Sequence, residues 1–178
     1  MKTRAEILLR RIRLLTWFFI GALVFSGVTA IPLEWELDLI AKIFGASNIP
    51  PEQATSGFVK WILKVREGLH QTNAQFPFLA YGTDWLAFGH VAIAIGFIGA
   101  LRNPVRNIWL FQFGMIACVL ILPWAFVFGD LRGIPVYWRL IDCSFGVFGI
   151  IPLWFCKRWA TEISQLKPEL QASLDLKL

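Results

Sequence analysis

The chain has 178 residues, of which 57% are hydrophobic, 15% aromatic and only 16% charged; soluble domains are roughly 45 to 50% apolar, so this is membrane composition. The net charge of +5 does not point to nucleic acid, because Lys and Arg lie beside apolar runs instead of interleaving with aromatic residues on one surface. No linker, low-complexity tract or internal repeat divides residues 1–178, which read as a single membrane domain.

A helix needs about 20 apolar residues to cross the hydrocarbon layer, and each charge buried there costs about 2.5 kcal/mol or more. The basic start "MKTRAEILLRRIR" is followed by an uncharged run from Leu14 to Leu33, the first predicted span (about 14–33). "VTA" before Ile31 has the small-residue pattern of a signal-peptide cleavage site; we expect an uncleaved anchor. Ala22, Ser26 and Ala30 form a small-residue stripe suited to helix contact.

Residues 34–83 are an amphipathic segment. In "LEWELDLIAKIF", Leu33, Leu37, Ile40 and Phe44 recur at helical spacing, with Asp38 and Lys42 placed for an i,i+4 pair. In "SGFVKWILKVREGLH", Phe58, Trp61, Ile62, Val65 and Leu69 do the same opposite Lys60, Lys64 and Glu67. Two amphipathic helices are predicted, lying in the headgroup region or folded over the bundle as a cap.

The second span (about 85–101) is interrupted only by His90 and ends at "RNPVRN", where Pro104 breaks the helix. The third (about 107–129) closes on "GDLRGIP", rich in turn-forming residues. The fourth (about 137–156) stops at Lys157 and Arg158. In the tail, 157–178, Ile163, Leu166, Leu170 and Leu174 keep helical offsets, predicting an amphipathic extension interrupted near Pro168. The expected fold is an all-α integral membrane protein: an antiparallel bundle of four transmembrane helices, with two amphipathic helices in a long outer loop between spans one and two.

Lys2, Arg4, Arg10, Arg11, Arg13, Arg102, Arg106, Lys157, Arg158, Lys167 and Lys177 gather on one side of this topology. The positive-inside rule then places both termini in the cytoplasm and residues 34–83 outside, in a cell membrane of the bacterial inner-membrane type. Gly21, Phe25 and Gly27 in a first span, followed by an outer amphipathic segment and three further spans, make a pattern similar to the DoxX-like small bacterial membrane proteins. The likeness covers little more than span one, and neither a function nor a residue role follows from it.

The polar residues on the outer side are the candidate site. Asp84 and His90 lie on span two, Asp130 and Arg132 after span three, and Arg139 and Asp142 on span four, with Tyr81 and Tyr137 at the same level. Asp142 shares its stripe with Arg139, Gly146 and Gly149, a face suited to the bundle interior. Arg139 is within reach of Asp142 on its own helix, or of Asp84 or Asp130 on a neighbour. Two readings stand: an ion-paired clasp between spans, or a polar pocket that binds a head group or moves a proton.

Other chemistry has little support. Cys118, Cys143 and Cys156 are too scattered for a redox or metal motif, and His90 is the one histidine within a span, which excludes bis-histidine haem ligation between spans. His90 with Asp84 and Asp142 is a weak metal signal, and no metal, cofactor or catalytic residue is assigned. The expected function is binding of a lipophilic ligand, such as a lipid, quinone or isoprenoid, near the outer membrane face, in contact with membrane lipids. The alternative is a non-catalytic accessory subunit, packed against partner membrane subunits or further copies of itself. A transporter ranks third, since the inner halves of spans two to four are apolar apart from Gln112.

Overall fold

In a computed structural model that describes residues 3–166, all regular elements among the described residues are helical. They are α1 (Arg4–Thr29), α2 (Leu33–Ile43), α3 (Gly57–Gln75), α4 (Tyr81–Arg102), α5 (Ile108–Leu131) and α6 (Val136–Leu166), with single 3₁₀ turns at Pro51–Gln53 and Pro77–Ala80. Four stretches, Arg4–Thr29, Pro77–Arg102, Ile108–Leu131 and Val136–Leu166, are long and apolar enough to cross a membrane. The chain is a multipass membrane protein with two shorter helices between its first and second spans.

Helix bounds differ from span bounds for a physical reason. Backbone hydrogen bonding does not stop at the hydrocarbon edge, and the stems of Lys and Arg reach back to water. Accordingly α1 starts at Arg4, well before Leu14, and α6 continues past Lys157 and Arg158 to Leu166. The expected interruption near Pro168 lies outside the described residues.

Two glycines terminate helices by the same device. Gly45 (φ 64°) and Gly133 (φ 66°) adopt the left-handed conformation that a missing Cβ permits. After α2, Gly45 N–H donates to the Lys42 carbonyl (3.0 Å) and Ala46 N–H to the Ala41 carbonyl (2.8 Å). After α5, Gly133 N–H donates to the Asp130 carbonyl (3.0 Å) and Ile134 N–H to the Gly129 carbonyl (2.9 Å). Both are Schellman caps, which satisfy carbonyls that the helix end leaves open.

The described residues form two compact units, one of Leu23–Ile93 and one of residues 3–22 with 94–166. In the latter, α5 and α6 pack as an antiparallel hairpin. A Cβ added at Gly146 would stand 2.5 Å from the Cys118 carbonyl oxygen, and one at Gly114 would stand 2.8 Å from Leu153 Cδ1. The glycines thus set the helix separation, as small residues do where lipid supplies no hydrophobic drive for association. From α1, Leu8, Ile12, Thr16 and Ile20 present a buried stripe at helical spacing. The Ile12 carbonyl accepts from Thr16 Oγ1 (2.8 Å) and Cys156 Sγ (3.8 Å), linking α1 to α6. Phe97 of α4 lies 4.8 Å from Phe19 and 6.4 Å from Phe111 between ring centroids.

In the Leu23–Ile93 unit, α2 and α3 pack around Ala41, Ala46 and Leu63, joined by Ala54 and Val59. Leu37 and Ile62, both expected on the apolar faces, are buried. The end of α1 meets α4 closely: a Cβ at Gly27 would stand 2.8 Å from His90 Cβ and 3.0 Å from the Ala87 carbonyl oxygen. Large apolar side chains on the spans, among them Phe18, Phe25, Trp124 and Phe148, remain exposed, the surface a lipid environment covers.

Candidate functional site

The eight residues expected at the outer side fall into two groups. Asp130, Arg132, Tyr137, Arg139 and Asp142 belong to the α5–α6 hairpin, and Tyr81, Asp84 and His90 belong to the first half of α4.

In the hairpin, Arg139 joins the other helix through Asp130. Its Nη2 lies 3.0 Å from Asp130 Oδ1, and its Nε donates to the Ile134 carbonyl at 2.7 Å. The aliphatic stem crosses the bare backbone of Gly129, where a Cβ would stand 2.8 Å from Arg139 Cδ. The side chain is only 11% exposed while that of Asp130 is 77% exposed, so the guanidinium is the buried partner and Asp130 the solvated one. The ion pair itself contributes little at such exposure. The bond to Ile134 is the stronger constraint, because it satisfies a carbonyl just beyond the α5 cap with a charged donor. Asp142, three residues further along α6, receives no bond from Arg139, and Arg132 is exposed.

On α4 the polar residues are arranged differently. Asp84 lies in the first turn of α4. Around it Tyr81, Trp85 and Phe88 form an edge-to-face ladder, with centroids 5.9 Å apart at 86° and 5.4 Å apart at 84°. These four side chains line a notch of about 210 Å³. His90 lies deeper, and its Nδ1 is 2.8 Å from the Leu86 carbonyl. A carbonyl only accepts, so Nδ1 carries the proton and Nε2 is the acceptor of the neutral ring.

A further polar cluster, not anticipated from the sequence, joins α2 to α3. Arg66 Nε donates to Asp38 Oδ1 at 2.5 Å and its Nη1 to the Ser47 carbonyl at 3.3 Å. His70 lies between two carboxylates, with Nε2 3.1 Å from Asp38 Oδ1 and Nδ1 3.6 Å from Glu34 Oε1. The Arg66 guanidinium, and after it His70, hold the Asp38 carboxyl below its ordinary range. The expected Asp38–Lys42 pair is not made: α2 turns Asp38 toward α3, where a guanidinium offers a directed hydrogen bond that a solvated ammonium on the same helix does not. The signal was present in the sequence. Glu34 and Asp38 share an i,i+4 spacing, Arg66 and His70 share it too, and acidic and basic pairs at matched spacing suit two packed helices.

Cys118, Cys143 and Cys156 are buried free thiols. Among the described residues, no group of three or more His, Cys, Asp or Glu side chains is placed to hold a metal ion. Comparison with family models, curated proteins and solved structures finds no match to this chain, so the likeness of its first span to the DoxX-like proteins is not supported by a family match.

Proposed function

We propose that this multipass membrane protein binds a lipophilic molecule, a lipid, quinone or isoprenoid, at the start of α4, the end that the distribution of basic residues assigns to the outer face. The observation that carries the reading is the Tyr81–Trp85–Phe88 ladder around Asp84. Its rings offer an apolar wall, and the carboxylate supplies one polar contact to fix the head of a ligand. The volume of about 210 Å³ is below the roughly 300 Å³ at which pockets for whole small molecules begin. It suits one end of a ligand whose remainder lies in the bilayer. Protein purified in mild detergent and incubated with a native lipid extract should retain a lipophilic species by native mass spectrometry. Trp85→Ala and Asp84→Asn should reduce that retention without changing the thermal midpoint. Equal retention by wild type and both variants would sink the proposal.

The accessory-subunit reading is favoured by one observation on the hairpin: Arg139 is committed to Asp130 and Ile134, as expected of a cation serving the fold. Co-purification of a defined membrane partner, together with no retained ligand, would favour that reading.

A further inference from the structure

The start of α1 and the end of α6 lie side by side and antiparallel. Arg4 Nε pairs with Glu162 Oε1 at 2.5 Å, the Arg11 guanidinium lies 5.8 Å from the Trp159 ring centroid, and Cys156 Sγ reaches the Ile12 carbonyl. Beside this seam α6 carries a cavity of about 390 Å³ lined by Trp154, Lys157, Arg158, Thr161, Glu162 and Gln165. Its charges do not cancel. Glu162 is neutralised by Arg4, and the Arg158 guanidinium lies over the Trp154 face, 5.4 Å from the centroid. A cation–π contact orients that cation without neutralising it. Lys157 and Arg158 therefore leave a positive excess, while the exposed Gln165 amide makes no bond among the described residues.

The surroundings indicate the kind of anion. Three and seven residues before Trp154, the same face of α6 continues through Ile151 and Val147, exposed at 49% and 52%. A compact positive site at the end of an exposed apolar stripe, with a Trp at the junction, matches an amphiphile lying along a span with its headgroup at the interface. Guanidinium and ammonium groups both suit phosphate oxygens, the former through two parallel hydrogen bonds.

We propose that this cavity is a headgroup site for an anionic phospholipid, its phosphate held by Lys157 and Arg158 and its acyl chain lying on Trp154, Ile151 and Val147. The site is independent of the notch on α4, and either can fail without the other.

Full-length protein in detergent is titrated with phosphatidylglycerol and with phosphatidylcholine, and bound lipid is counted by native mass spectrometry. Wild type should prefer phosphatidylglycerol by on the order of tenfold, the effect expected of two juxtamembrane cations. Lys157→Gln with Arg158→Gln should erase the preference, and Lys157→Arg with Arg158→Lys should keep it. Equal binding of the two lipids by wild type, or an unchanged preference in the glutamine variant, overturns the proposal. Displacement of bound phosphatidylglycerol by inorganic phosphate or glycerol 3-phosphate also overturns it, by identifying a soluble phosphate compound as the occupant. If the glutamine variant does not fold, wild type alone decides: phosphatidylglycerol, and not phosphatidylcholine, must slow amine labelling of Lys157.

Discussion

The stem of Arg139 lies across the backbone of Gly129, so that a methyl group on Gly129 would stand 2.8 Å from Arg139 Cδ. The contact lets the guanidinium reach both the Asp130 carboxylate and the Ile134 carbonyl, and so close the corner between α5 and α6. Gly129→Ala should push the stem aside and cost about 1–3 kcal/mol, the usual range for overpacking. Arg139→Gln should cost a similar amount, about 1–3 kcal/mol, by leaving the Ile134 carbonyl without its donor. Asp130→Asn should cost about 1 kcal/mol or less, since the pair is largely solvated. Thermal unfolding of the three variants in detergent checks the order, and an Asp130 effect as large as that of Arg139 would contradict it.

The second prediction concerns helix separation. Gly146→Ala places a methyl group 2.5 Å from the Cys118 carbonyl oxygen, a backbone atom that cannot rotate away, so α5 and α6 must part. We expect a loss of about 1–3 kcal/mol or more. Gly96→Ala meets no atom within 4 Å, and alanine is the better helix former, so that variant should be neutral or slightly stabilised. Equal midpoints for the two variants would show that Gly146 does not set the spacing.

Acid should loosen α2 from α3. Because the Asp38 carboxyl is held below its ordinary range by Arg66 and His70, its contribution is fully present above the unfolded value near pH 3.9 and fades as pH falls through the lowered folded value. Amide exchange in α2 and α3, corrected for the intrinsic rate, should accelerate in that window. Asp38→Asn should flatten the part of the profile that this carboxyl causes; an unaltered profile would assign the pH dependence to other groups.

Topology can be tested with single cysteines, since the three native thiols are buried. A cysteine replacing Ala74 should react with an impermeant reagent applied outside cells. One replacing Gln171 should react only after permeabilisation, as the basic flanks require. The opposite pattern would invert the orientation and move the α4 notch to the inner face.

The sequence by itself determined the class of the molecule, its four apolar stretches and the two helices between the first and second of them. These are one-dimensional properties: bilayer thickness sets the length of an apolar run, and helical periodicity sets which residues share a face. Leu37 and Ile62 were legible as core for that reason. The caps at Gly45 and Gly133 are also local in origin, though only their positive φ values identify them as Schellman turns. Tertiary structure decided the partners of the charged groups. Arg139 had several carboxylates within sequence-level reach, and within the α5–α6 hairpin it pairs with Asp130, because the left-handed turn at Gly133 brings the end of α5 to the start of α6 and Gly129 leaves room for the stem. Asp38 had Lys42 on its own helix but meets Arg66 and His70, because burial of Leu37 and Ala41 turns α2 toward α3. A salt bridge or hydrogen bond acts over a few ångströms, and spacing along a single helix does not specify distance to a neighbouring one. That distance follows from how the apolar faces and glycines pack, which is where the reach of sequence periodicity ends.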